Sequence, residues 1–150
     1  MREKIAAAMK ESLKAGDKTR LGAVRLIQAA LKDKDIEARG LGRGQATPEE
    51  LLGLLQKMIK QRQESFEIFE KNNRPELAAQ EKAEIDVISS FLPAQMTDSD
   101  VKMAIAAAIS ETGAASVKDM GKVIGVLKAK FSGQMDFGKA SGLVKAALAG

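Results

Sequence analysis

The chain has 150 residues, 45% of them hydrophobic, and a net charge of only +4 from 24 basic and 20 acidic side chains. It contains no Cys and no His, which excludes disulfides, thiol catalysis, His-based acid–base catalysis and zinc sites of the usual kind. So small a charge does not by itself indicate nucleic-acid binding. Strand-like runs of alternating β-branched and aromatic residues are missing, and we therefore predict an all-α protein.

Four helices are predicted in the first 93 residues, and local start and stop signals define them. Gly16 ends the first helix and Asp17 caps the second. The segment 47–50, Thr-Pro-Glu-Glu, combines a cap, a proline in first position and a capping box. The predicted bounds are 2–15, 18 to about 39, 48 to about 71, and 75 up to the proline at 93. The apolar residues of the fourth helix that we expect to face inward are Leu77, Ile85, Ile88 and Leu92.

The glycine-rich loop 40–46 offers a phosphate cradle as one interpretation. No strand precedes it, and the Gly-Lys-Ser/Thr sequence that completes a P-loop is missing. A flexible connector is therefore the favoured interpretation.

Two pairs of acidic residues have a spacing that can bridge a metal ion on one helix face. They are Asp33 with Glu37, and Glu81 with Glu84. Surface helices carry such pairs routinely, and no His is present to complete a site. A solvated helix face is the favoured interpretation, and we predict no metal site.

The segment "LPAQMTDSD", residues 92–100, is the best domain boundary in the chain, because a proline follows a helix and Thr97 begins the next one. We therefore predict two domains, 1–93 and 94–150. The second contains three shorter helices, at about 98–112, 117–131 and 137–149, capped by Thr97, Ser116 and Asp136. At this size it lies near the lower limit for folding alone.

The segment "KDMGKVIGVLKAKFSGQMDFGKASGLVKAAL", residues 118–148, places glycines inside two predicted helices, where each costs roughly 1 kcal/mol relative to alanine. Helical periodicity separates the glycines from an apolar stripe in each helix. The first stripe contains Val117, Met120, Ile124, Leu127 and Phe131, and the second contains Phe137, Val144 and Leu148. The first glycine-containing arc holds Lys118, Gly121, Lys122, Gly125 and Lys128, and the second holds Gly138, Gly142 and Lys145.

Two interpretations of these glycines compete. Small residues four apart allow helices to pack closely, and periodicity alone favours that interpretation. The alternative is a smooth surface that lets a phosphate backbone approach, with lysines contacting the phosphates. Because the Phe residues occupy core positions, any RNA bound there is expected to be folded RNA recognised by shape and phosphates.

Three segments together resemble the YqeY family, which is related to the C-terminal tail of GatB, a subunit of glutamine-dependent tRNA amidotransferase. They are "LIQAALKDKDIEARG", "MIKQRQESFEIFEKNNRPELAAQEKAEIDVISSFLPAQMTDSD" and "GAASVKDMGKVIGVLKAKFSGQMDFGKASGLVKAALAG". The resemblance implies a helical N-terminal domain and a three-helix tail, and in the amidotransferase the related tail contacts the tRNA elbow. The positions that match the family's tail motif are Lys118, Met120, Gly121, Lys122, Gly133, Asp136, Lys139, Ser141 and Lys145.

The resemblance raises the RNA interpretation above the packing one. We predict a non-catalytic, tRNA-binding accessory protein associated with tRNA-dependent amidation, without a cofactor. The alternatives are a protein-interaction module for an amidotransferase or another enzyme, and a carbon–nitrogen ligase component that uses glutamine as amido-nitrogen donor. With neither a signal peptide nor a membrane span in the sequence, a cytoplasmic location is expected. The candidate RNA-binding residues are Lys118, Gly121, Lys122, Gly125, Lys128, Lys139, Gly142 and Lys145.

Overall fold

The computed structural model describes residues 1–149, and the regular secondary structure in this part of the chain is all helical, with no strand. The prediction of an all-α protein is confirmed. The helices are α1 (Arg2–Ala15), α2 (Lys18–Gly40), α3 (Pro48–Lys71), α4 (Pro75–Ser89), α5 (Asp98–Thr112), α6 (Met120–Phe131) and α7 (Phe137–Ala149). A 3-10 turn, Val117–Asp119, precedes α6, so the helix predicted from residue 117 begins in a different geometry.

Side-chain caps fix several of the helix starts, as the sequence predicted. The carboxylate of Asp17 accepts from the amide three residues later at 3.1 Å, and the Thr47 hydroxyl does the same at 3.2 Å. At α5, Thr97 and Asp100 each accept from the other's backbone amide, which forms a reciprocal capping box. Each cap satisfies an amide that has no partner within the helix.

The contacts within the chain divide it into two compact units, Met1–Pro93 and a second that begins at Ala94. Each has its own buried core. That the two units are independent domains stays a prediction.

In the first unit, α3 packs along α4, α2 packs on α4, and α1 packs on α2. Leu77, predicted to face inward, is 43% exposed, and the neighbouring Ala78 is buried instead. Successive residues lie about 100° apart around a helix, so Leu77 points out of the interface when Ala78 lies in it. The buried core cluster consists of Ile5, Ala8, Val24, Ile27, Leu55, Met58 and Ile88.

A buried carboxylate ties the loop after α2 to the start of the chain. Asp35 accepts two hydrogen bonds of 2.7 Å from the Arg2 guanidinium and one of 2.9 Å from the Ala46 amide. In the same loop, Arg43 pairs with the carboxylate of Glu50. The loop cation therefore already has a partner, which fits a connector rather than a phosphate cradle.

The predicted acidic pairs differ in their surroundings. Asp33 and Glu37 are exposed, as expected for a solvated face. Glu84 instead accepts from Arg62 Nε at 3.0 Å, and both side chains are largely buried, so the solvated-face prediction is wrong there. Burial and then the charge of Glu84 raise the pKa of the neighbouring Glu81.

In the second unit, α5, α6 and α7 pack on one another pairwise. Val123 and Leu127 anchor α6 and are fully buried. Val117, predicted on the apolar stripe, is 39% exposed because the 3-10 turn rotates it away from the helical register. The buried cluster consists of Ala104, Ile105, Ala108, Val123, Leu127, Met135, Ala140 and Val144.

Candidate nucleic-acid interface

The start of α6 is held by a carboxylate that bonds to the backbone. Asp119 accepts from the amides of Ala115 and Ser116 at 3.0 and 3.4 Å. These bonds favour the ionised form and lower the pKa of Asp119, with a smaller contribution from the charge of Lys122. This segment places Lys118 in the 3-10 turn before α6 and Lys122 in the first turn of the helix.

The glycines of α6 face away from the core of the second unit. Gly121 and Gly125 are exposed, and a Cβ built on either would meet no atom within 4 Å beyond the helix's own backbone. Gly142 on α7 has the same open surroundings. These three glycines therefore make no close helix contact within the described residues, and the packing interpretation is wrong for them.

Gly138 differs from the other three glycines. Its amide donates to Asp136 Oδ1 at 2.9 Å, and a Cβ there would lie 3.2 Å from the same oxygen. Asp136 also accepts from the Lys139 amide at 3.3 Å, as expected for the predicted cap of α7. Gly138 thus belongs to the capping geometry of α7.

Three lysines border the open face of α6. Lys118, Lys122 and Lys128 are exposed, and across residues 1–149 no carboxylate oxygen lies within 4.0 Å of their ammonium groups. With Gly121 and Gly125 they form a surface that we call the α6 strip. Its ammonium groups are available to an external anion without breaking an ion pair.

The α7 candidates do not form one group. Lys145 is exposed and has no ion pair within the described chain, and it shares a side of the helix with Gly142. Lys139 lies about 120° around the helix from Lys145 and about 60° from Gly142. Its ammonium pairs with Asp98 at 3.6 Å, and both groups are well exposed. The ion pair with Asp98 therefore distinguishes Lys139 from Lys145.

The α6 strip lacks a stacking platform. Phe131 and Phe137 are half-buried and pack against the core of the second unit. Aromatic rings on which bases stack are typical of single-strand readers. The arrangement suits phosphate contacts rather than the reading of unpaired bases.

Residues 1–149 hold no group of three or more acidic side chains arranged to bind a metal ion. Over the same range, none of the helices combines the length and the apolarity needed to cross a membrane.

Curated relatives match part of the chain. A protein from Lachancea thermotolerans is 34% identical over 84 residues, which are 56% of this chain and 43% of the relative. Proteins from Vanderwaltozyma polyspora and Saccharomyces cerevisiae are 31% identical over 84 residues, covering 56% of this chain and 44% of each relative. All three are named "Altered inheritance of mitochondria protein 41, mitochondrial". The matched segment thus spans less than half the length of these relatives.

The names of these relatives bear on the predicted location. They are mitochondrial proteins by name, which contradicts the expectation of a cytoplasmic protein. The prediction rested on a sequence with neither a signal peptide nor a membrane span, and the names of these relatives correct it.

A family model covers almost the whole chain. The model described as "Yqey-like protein" matches residues 2–148, which includes both compact units. The resemblance stated from the three sequence segments is confirmed, and the chain belongs to the YqeY family.

Proposed function

We propose that this chain is a non-catalytic accessory protein that binds tRNA through the α6 strip, in tRNA-dependent amidation or another tRNA process. The observation that carries the proposal is the open space over Gly121 and Gly125 beside three lysines without acidic partners. Free ammonium groups next to a helix surface without side chains are suited to a polyanion with a broad backbone.

A binding role for the α6 strip would account for the presence of glycines inside α6, where they lower helix stability. Each exposed helical glycine costs roughly 1 kcal/mol relative to alanine, and no contact within the described residues offsets that cost. Because Gly121 and Gly125 have no side chains, a ribose–phosphate backbone can lie close to the helix. Lys118, Lys122 and Lys128 then reach its phosphates. Lys145 and Gly142 on α7 are candidates for a further contact.

The test compares two triple variants of equal charge. Lys118→Ala/Lys122→Ala/Lys128→Ala removes the cations of the strip, and Lys4→Ala/Lys10→Ala/Lys14→Ala removes three exposed lysines of α1. Binding of each protein to tRNA is measured over a salt series, with duplex DNA as competitor.

We expect the α6 triple to weaken tRNA binding strongly and to reduce the salt slope by up to about three, roughly one for each lost phosphate contact. The α1 triple should stay close to wild type. Equal losses in both variants would mean that only net charge matters, and the proposal would then be wrong.

A further inference from the structure

The outer side of α2 carries a regular series of exposed positions that lie outside the core of the first unit. Their spacing alternates between four and three residues, which is the a/d spacing of a coiled-coil seam. The positions are Gly22, Leu26, Ala29, Asp33, Ile36 and Gly40, and all six are exposed. We call this series the α2 seam. It covers 18 residue steps and is therefore about 27 Å long.

The α2 seam is apolar except for one residue. Leu26 and Ile36 are 42% and 52% exposed, and a Cβ at Gly22 or Gly40 would meet no atom within 4 Å. The opposite side of α2 supplies the core residues of the first unit, so the seam is not needed to hold α2 in place. An exposed apolar row with coiled-coil spacing is typical of a surface that receives another helix.

The charges beside the seam indicate which kind of helix fits. Arg25, Lys32 and Arg39 follow one edge at seven-residue intervals; all are exposed, and no carboxylate of the described residues lies within 4.0 Å of their charged groups. In a coiled coil, the residues at the edges of one helix meet the edge residues of the other, and their charges determine which helices pair. A partner with acidic residues at matching seven-residue intervals would neutralise this edge.

We propose that the α2 seam docks an amphipathic helix of another protein, with apolar residues along one face and acidic residues beside them. This surface lies in the first unit and is independent of the proposed RNA contact of α6. The seam offers only two large side chains, Leu26 and Ile36, so the complex is expected to be of the weak, exchanging kind.

A second copy of this chain fits the seam poorly. In an antiparallel pair, the basic edge of one α2 would face the basic edge of the other. In a parallel pair, Lys32 would meet Glu37 of the other copy, but Arg25 would meet Ala30. Folded RNA fits poorly as well, because phosphate contacts to the basic edge would leave Leu26 and Ile36 in water.

The probe is a fluorescently labelled helical peptide of about 21 residues, or three heptads. It carries Leu at the seam positions, Glu at both edges, and one Lys at the central seam position to pair with Asp33. A control peptide has Lys in place of every edge Glu. Binding to the full chain is followed by fluorescence anisotropy at moderate salt. The acidic peptide should bind about tenfold more tightly than the basic one.

Three variants locate the binding site. Leu26→Asp/Ile36→Asp should abolish binding, and Arg25→Glu/Lys32→Glu/Arg39→Glu should reverse the preference between the two peptides. The matched control, Ile68→Asp/Leu77→Asp, alters exposed apolar residues of α3 and α4 and should bind the acidic peptide as wild type does. Circular dichroism verifies that every variant is folded.

Several outcomes would overturn the proposal. No binding of the acidic peptide, or equal binding of both peptides, would show that the seam does not select an acidic helix. If the charge-reversed variant instead loses tRNA affinity while neither peptide binds wild type, the basic edge is an RNA contact and not a helix-docking surface.

Discussion

At the scale of single residues, Asp35 accepts three hydrogen bonds that join separate segments of the first unit. Its carboxylate joins the first turn of α1 to the loop that follows α2 through Arg2 and the Ala46 amide. Hydrogen bonds from Arg2, then from the Ala46 amide, hold the pKa of Asp35 well below its usual range. The ionised carboxylate is thus part of the folded structure.

Asp35→Asn should lower the thermal midpoint at pH 7, because the neutral amide cannot accept both guanidinium bonds. A folded-state pKa below the unfolded value of about 3.9 gives stability that is present above that pH and lost as the pH falls below it. The difference in midpoint between wild type and variant should therefore shrink below about pH 4. Thermal unfolding by circular dichroism between pH 3 and 7 checks this, and a constant difference would contradict it.

At the scale of elements, the two faces of α6 have different roles. Val123 and Leu127 bury one face, and Gly121 and Gly125 leave the other without side chains. Substitution at the glycines consequently acts through helix propensity rather than through packing.

Gly125→Ala should increase the free energy of unfolding by up to about 1 kcal/mol, since the added methyl group meets open space and alanine favours the helix. Gly113→Ala is the matched control: this residue ends α5 with φ 66°, a left-handed conformation that costs alanine roughly 1 kcal/mol. Chemical denaturation measures both. A large loss of stability in Gly125→Ala would restore the packing interpretation.

A bulkier side chain at the same position tests the α6 strip. Gly125→Leu should keep the fold and weaken tRNA binding, because the side chain would hold the phosphate backbone away from the helix. Tight tRNA binding by this folded variant would contradict the idea that the open surface is needed.

Most helix bounds were predictable because their signals are local, but α4 ends at Ser89 and not at the predicted proline at 93. Gly16, Asp17, Thr47 and Pro75 each end or begin a helix through their own backbone or side-chain chemistry. The 3-10 start before α6 was not predictable, since periodicity alone assumes one geometry throughout.

The candidate surfaces were predictable only in part. Periodicity placed Gly121 beside Lys122 on one arc, but the open space over the glycine depends on tertiary packing. The α2 seam was not predictable, because apolar residues lie on both sides of α2 and the sequence pattern does not separate Leu26 and Ile36 from the core face. Only their exposure in the folded structure separates a second apolar row from the core.

At the scale of the whole molecule, the chain divides into two compact units with separate cores, and the two candidate surfaces lie on different units. Hydrogen bonds within the second unit also fix the segment that leads into α5. The Met96 amide donates to the Gln134 carbonyl at 2.9 Å, and the Gln95 side chain donates to the Gly133 carbonyl at 2.7 Å. These bonds join the segment before α5 to the turn between α6 and α7.

The open face of α6 has a consequence for how this family can diverge. Substitutions at exposed positions away from special contacts usually change stability by no more than about 0.5 kcal/mol. Lysines can therefore be gained or lost along the strip by single mutations while Val123 and Leu127 keep the helix in place. The polyanion affinity proposed for this surface can therefore change between descendants of one ancestor while the fold is inherited unchanged.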